Sequence, residues 1–256
     1  MTTPRVTEPT AFALYLDFDG TLVEIAPKPD QVRVDPALAP ALERLRARLG
    51  GALAIVTGRP IGVIDDFLAP ARFDVAGLHG VERRVDGVVS GGSAADHPAL
   101  RAQVPALHAA VAPLEHVLIE DKGASVAVHW RLATPSDAAA AEEAVKAAAA
   151  GLGADYRLQL GKAVGEIVPA SATKGHAIRA LAENPPYADR RAIFLGDDLT
   201  DEKAFAVVNE HGGVSVRIGG AETIAARRLT DPEDVRRLLY AWADGAAIDP
   251  DALPPA

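Results

Sequence analysis

The sequence predicts an α/β fold, a parallel sheet covered by helices on both faces, with a smaller α+β segment inserted into it. Three observations predict it. Short apolar runs alternate with helical stretches from residue 12 onward, the order changes near residue 95 to αββαββ, and the alternation resumes near residue 170. The parallel core therefore covers residues 1–94 and 170–256, and the insertion covers 95–169.

The first strand is the apolar run over 12–18. Asp35-Pro36 supplies an N-cap and a first-turn proline for a helix that places Leu38, Leu42, Leu45 and Leu49 on one face, and Gly50-Gly51 stops it. Residues 52–56 form the second strand and 73–76 the third. Residues 80–90 form a hairpin around Asp86-Gly87, a pair that accepts the positive φ angles of tight turns. The insertion reads as a helix over 98–112, strands over 117–120 and 125–131, a helix over 136–150, and strands over 156–160 and 163–168. Ser171 or Thr173 caps the next helix, which runs to about residue 183. Strands follow at 191–195 and 214–218, with a helix from about Asp201 between them, and Asp231-Pro232 opens the last helix. The Pro-rich tail after Asp249 is expected to be loose.

The 256 residues are 49% apolar and 24% charged, a globular composition. A net charge of -9 argues against a general nucleic-acid binder, which needs clustered Lys and Arg, but not against a small phosphorylated ligand. The chain has no cysteine, which excludes disulfides and thiolate chemistry. Residues 1–11 lack a basic start followed by an apolar signal segment, and no apolar run is long enough to span a bilayer, so a cytoplasmic protein with no membrane partner is expected.

Four polar signals fall at or just past strand C-terminal ends, where open parallel sheets bind ligands. Asp17 and Asp19 stand two residues apart in Asp17-Phe18-Asp19-Gly20-Thr21; like charges held that close call for a cation or a shared proton, although Asp-Gly also reads as a turn. Thr57 and the Gly58 amide suit a phosphate oxygen, or a simple turn. Lys174 opposes the dipole of the helix it starts, which a neighbouring anion would offset; a solvated lysine is the alternative. In Gly196-Asp197-Asp198-Leu199-Thr200-Asp201-Glu202, capping by Thr200 and the first-turn acids accounts for Asp201 and Glu202 but not for Asp197 at the strand tip. Hard oxygen donors without thiolates favour Mg²⁺ over zinc.

In this order the signals resemble the haloacid dehalogenase-like phosphatase superfamily across nearly the whole chain. Within it, Gly77-Leu78-His79-Gly80, Glu120-Asp121-Lys122, His129-Trp130-Arg131, Gly161-Lys162 through Glu166, and the Gly196 segment are similar to the trehalose-6-phosphate phosphatase family. The resemblance implies a Rossmann-like core whose insertion is a substrate-specificity cap that closes by a hinge. It implies Asp17 as nucleophile, Asp19 as general acid and base, and Thr57 and Lys174 as phosphate ligands. Mg²⁺ would be held by Asp17, the Asp19 carbonyl and Asp197, with Asp198 and Asp201 behind them. Substrate contacts would come from Gly20, Thr21, Gly58, Arg59, Glu120, Lys122, Arg131 and Glu166; taken singly, the strand residues among these also read as solvated side chains. Trp130 and Val168 depart from the family's usual tyrosine and arginine. The implied ligand is a small sugar phosphate handled by a monomer. The alternatives are sucrose- or mannosylglycerate-type phosphates, or a phosphoacceptor signalling domain, which is about half this length.

Overall fold

The computed structural model describes residues 8–26, 31–92, 94–161 and 163–256; Lys162 lies outside them. The chain runs through β1 (Phe12–Leu16), α1 (Leu38–Arg48), β2 (Leu53–Val56), α2 (Ile61–Phe67), β3 (Asp74–Gly77), β4 (Glu82–Val85) and β5 (Val88–Gly91). Next come α3 (Pro98–Val111), β6 (Leu118–Asp121), β7 (Val126–His129), α4 (Pro135–Ala150), β8 (Tyr156–Gly161) and β9 (Val164–Pro169). The last stretch holds α5 (Lys174–Ala182), β10 (Arg191–Gly196), α6 (Glu202–Glu210), β11 (Val214–Ile218), β12 (Arg227–Leu229) and α7 (Pro232–Ala243). Two compact units result: Met1–Val89 with Thr173–Ala256, and Ser90–Ala172.

The first unit holds an eight-stranded sheet in the order β12-β11-β10-β1-β2-β3-β4-β5, parallel from β12 to β3. β1 is buried throughout because its alternate residues meet opposite helix layers. Leu14 and Leu16 join Leu42 and Leu45 of α1 and Leu239 and Trp242 of α7, whereas Ala13 and Tyr15 join Ile178 of α5 and Phe205 of α6. A strand covered on both faces has no use for polar alternation, hence its uniformly apolar sequence. From β1 the chain steps outward through β2 and β3, and from β10 through β11 and β12 on the other side. β1 and β10 thus flank the point where strand order reverses, beside which such sheets bind ligands.

The second unit is a four-stranded antiparallel sheet, β6-β7-β9-β8. Leu100, Val104 and Leu107 of α3 and Ala141 and Val145 of α4 cover one face, packing on Val126, Val128 and Ile167. Strand alternation sends Glu120, Ala127 and Glu166, which stand opposite one another across β6, β7 and β9, to the other face.

Four local readings need correction. α1 starts at Leu38: the Asp35 carboxylate accepts the Ala37 amide at 2.9 Å in a turn, leaving Ala37 as N-cap without a side-chain bond. The first strand ends at Leu16, so Asp17 and Asp19 lie in the loop beyond it. The Gly196 loop is capped by Asp198, not Thr200. The tail is tied down: Arg228 N donates to Pro254 O at 2.9 Å, Ala256 N to Ala226 O at 3.3 Å, and Arg191 pairs with Asp251. α2 and β12, both short, have no counterpart in the sequence reading. Among the described residues no helix is long and apolar enough to cross a membrane.

Candidate active site

Three adjacent strands, β10, β1 and β2, deliver Asp197, Asp17 and Thr57 to the C-terminal edge of the sheet. Asp17 N donates to Leu195 O at 3.0 Å, which prolongs the β1–β10 ladder and fixes the Asp17 backbone. Its carboxylate is buried and receives Lys174 Nζ at 2.7 Å on Oδ1. Lys174 is itself buried, held in the first turn of α5 by the Thr173 cap, and its Nζ also lies 2.6 Å from Asp201 Oδ1. A surface lysine is therefore not what this position holds. Asp17, Asp197 and Asp201 bring carboxylate oxygens within 4.8 Å of one another, a set that could hold a metal ion.

The loops are shaped around this cluster. Gly20 has φ +75°, and a Cβ there would fall 2.1 Å from Asp197 Oδ2. A Cβ on Gly196 would fall 2.5 Å from Asp201 Cγ. Asp198 N donates to Asp201 Oδ2 at 2.9 Å in a reciprocal capping box, so Asp201 both closes the loop and faces Lys174. Arg217 Nη1 donates to Asp198 O at 3.0 Å and Arg217 pairs with Glu202 at 3.6 Å, bracing the loop from β11.

Burial and like charges set the electrostatics of the cluster. Burial, reinforced by Asp201 and Asp197, pushes the Asp17 carboxyl well above the usual carboxylate range against the pull of Lys174. Burial likewise raises Asp197. For Lys174 burial opposes the charge, but Asp17 and Asp201 outweigh it and hold the ammonium above its ordinary value. Asp197 Oδ1 and Thr21 Oγ1 are buried without a hydrogen-bond partner. Like charges and an orphaned oxygen fit a divalent cation.

Asp19 is not one of the three clustered acids and is half-exposed: Arg59 grips it through Nε at 2.6 Å and Nη2 at 2.7 Å. The Arg59 guanidinium lies 5.2 Å from the Phe67 ring centroid, so α2, which sequence reasoning missed, supports the clamp. Thr57 is buried and its Oγ1 accepts the Arg59 amide at 3.1 Å; Thr57 O accepts the His79 amide at 2.9 Å, which ties the Thr57-Gly58-Arg59 loop to the turn after β3.

A sequence profile of the trehalose-phosphatase family matches residues 15–233, which contain every residue of this cluster. The chain belongs to the trehalose-phosphatase family. It is 50% identical over 210 residues to a probable trehalose-phosphate phosphatase of Sinorhizobium fredii, covering 81% of this chain and 78% of that one. It is 39% identical over 248 residues to the trehalose-6-phosphate phosphatase of Escherichia coli, covering 95% and 91%. A crystal structure of a trehalose-6-phosphate phosphatase related protein superposes with a TM-score of 0.76 at 26% identity, covering 91% of this chain and 97% of that one. A haloacid dehalogenase-like hydrolase from Bacteroides thetaiotaomicron, 15% identical, shares the fold at a TM-score of 0.63 over 89% and 97% of the two chains. This member of the trehalose-phosphatase family is thus a hydrolase with a haloacid dehalogenase-like fold.

The family member's second unit holds its own polar cluster. Lys122 Nζ lies 3.1 Å from Glu166 Oε1 and 3.8 Å from Glu120 Oε2, and Glu120 Oε2 lies 3.0 Å from His129 Nε2. Arg131 is exposed in the turn after β7. Sequence reasoning found Glu120, Lys122 and Glu166 but not His129 as their neighbour, nor Ser125, whose hydroxyl donates to Glu166 Oε1 at 2.8 Å. Strand alternation, which puts residues 120, 122, 125, 127 and 129 on one face, was the available signal. It also missed Arg217, detectable as a lone charge in the apolar run Val214–Ile218.

Proposed function

We propose that this chain is a Mg²⁺-dependent phosphatase that hydrolyses trehalose 6-phosphate to trehalose and phosphate through an aspartyl-phosphate. The observation that carries the reading is the buried Asp17, paired with Lys174 and clustered with Asp197 and Asp201 at the strand-order switch point.

An Asp17 carboxylate oxygen attacks phosphorus while the bond from phosphorus to the sugar oxygen breaks, and Asp19 in its acid form delivers the proton that lets trehalose depart. Asp19, now a carboxylate, takes a proton from the water that attacks the aspartyl-phosphate. The acyl oxygen to phosphorus bond breaks, and phosphate leaves with Asp17 restored. Lys174 and Thr57, with the loop amides of Gly58 and of Gly20 and Thr21, hold phosphate oxygens, and Lys174 keeps Asp17 aligned. Asp17, Asp197 and the Asp19 carbonyl would hold Mg²⁺, with Asp198 and Asp201 orienting them; such a cation would neutralise phosphate charge and offset the crowding of these acids. Glu120, Lys122, Glu166 and Arg131 of the second unit supply the donors and acceptors a disaccharide needs, so that residues 95–169 act as the specificity cap; in the first unit Arg59 is a further substrate contact.

Phosphate release from trehalose 6-phosphate tests this. Turnover should stop with EDTA, return with Mg²⁺, and fall by about three orders of magnitude or more in Asp17→Asn. Undiminished turnover in that variant would sink the nucleophile assignment.

A further inference from the structure

The turn between β6 and β7 is a two-jawed clamp on one carboxylate oxygen. Lys122 N donates to Ser125 O at 3.0 Å, and Gly123 with φ +79° turns the chain between them, so Lys122 and Ser125 stand side by side at the hairpin mouth. On β7, Val126 and Val128 pack into the helix-covered core, which sends Ser125 to the opposite face with Ala127. Ser125 is diagonal to Glu166 there, because Ala127 is the residue directly opposite Glu166. Its hydroxyl, on a residue 1% exposed, meets Glu166 Oε1 at 2.8 Å, and Lys122 Nζ meets the same oxygen at 3.1 Å. Two donors on Oε1 fix the carboxylate plane and leave Oε2 outside both bonds, on a residue whose side chain is 15% exposed.

We propose that Ser125 is a positioning residue for sugar recognition: with Lys122 it locks Glu166 so that Oε2 accepts a hydroxyl hydrogen of the sugar. A carboxylate bound by a single flexible lysine rotates, and a rotating acceptor contributes less to binding than one held in place. Ser125 touches no reacting atom; it acts through Glu166 alone. The inference rests on the sugar-phosphatase reading above.

The test compares wild type, Ser125→Ala, Glu166→Ala and the double variant, with melting temperatures recorded, on two substrates. One is the sugar phosphate the wild type hydrolyses best in a panel that includes trehalose 6-phosphate. The other is p-nitrophenyl phosphate, which has no sugar. Ser125→Ala should raise KM for the sugar phosphate about ten-fold with kcat within about two-fold, and leave p-nitrophenyl phosphate turnover unchanged. Added to Glu166→Ala, it should change KM little further. An unchanged KM, fully additive effects, or equal losses on both substrates would overturn the positioning role while leaving the phosphatase reading standing. A best substrate other than trehalose 6-phosphate would correct that reading and still test Ser125. A wild type that hydrolyses p-nitrophenyl phosphate but no sugar phosphate would remove both.

Discussion

At Gly20 two constraints coincide, a left-handed backbone and a carboxylate where a side chain would begin. Gly20→Ala is expected to cost roughly 1–3 kcal/mol from backbone conformation, and more because Asp197 must move. The measurable outcome is a lower melting temperature together with a smaller Mg²⁺-induced rise in it. The carboxylates Asp17 and Asp197 also set a pH dependence. Their folded-state values lie above the ordinary range near about 4, so the metal-free protein binds more protons than the unfolded chain and loses this stabilisation as pH rises through the folded values. On the proposed function, Mg²⁺ would compete with those protons. The Mg²⁺-induced rise in melting temperature should therefore be largest at neutral pH and shrink as pH falls; a rise that is flat with pH would contradict it. The sequence showed that Asp17 and Asp197 need an explanation beyond turns and caps. It could not show Asp201 doing two jobs, because a first-turn acid already has a sufficient local reason to be there, and only the fold brings Lys174 to it.

The elements that sequence patterning located are those whose periodicity spans several turns or whose apolar run is unbroken. α1 is one: Leu38, Leu42 and Leu45 fall on a single buried stripe against α7. α2 escaped because seven residues give too few repeats for a period, and β12 because its three residues, Arg227–Leu229, are mostly charged. The tail escaped for another reason. Composition alone suggests looseness, yet its backbone bonds to Ala226 and Arg228 cover the edge strand β12, and no local rule reports pairing between residues so far apart. Removing the residues after Asp249 should therefore lower stability by about 1–3 kcal/mol and strip the Arg228 amide of β12 of its protection in hydrogen exchange, with protection in β6 to β9 unchanged. Full retention of that protection at Arg228 would show that the tail merely lies there.

Across the whole molecule, the polar clusters are divided between two units with separate cores. Leu42 and Leu239 belong to one cluster and Val104 and Ile167 to another. In sequence the order changes from alternating strands and helices to paired strands near residue 95 and back near residue 170, and the compact units divide at Ser90 and Thr173. On the proposed function the cluster at Asp17 does not distinguish one phosphomonoester from another, because its acids, lysine and backbone amides would meet only phosphate and metal. Among the described residues the row Glu120, Ala127, Glu166 belongs to no group of acids that could hold a metal ion, and Glu166 takes both its lysine and its serine donor on one oxygen, as a hydrogen-bonding group does. Selectivity and turnover should therefore separate by unit. Glu166→Ala should lower kcat/KM for trehalose 6-phosphate by about ten- to hundred-fold and leave p-nitrophenyl phosphate within about two-fold, whereas Lys174→Ala should lower both by comparable factors of about a hundred or more. Parallel kinetics on the two substrates decide it. Equal losses in Glu166→Ala would mean that the second unit supports the chemistry itself, and selectivity surviving intact would move sugar recognition to residues of the first.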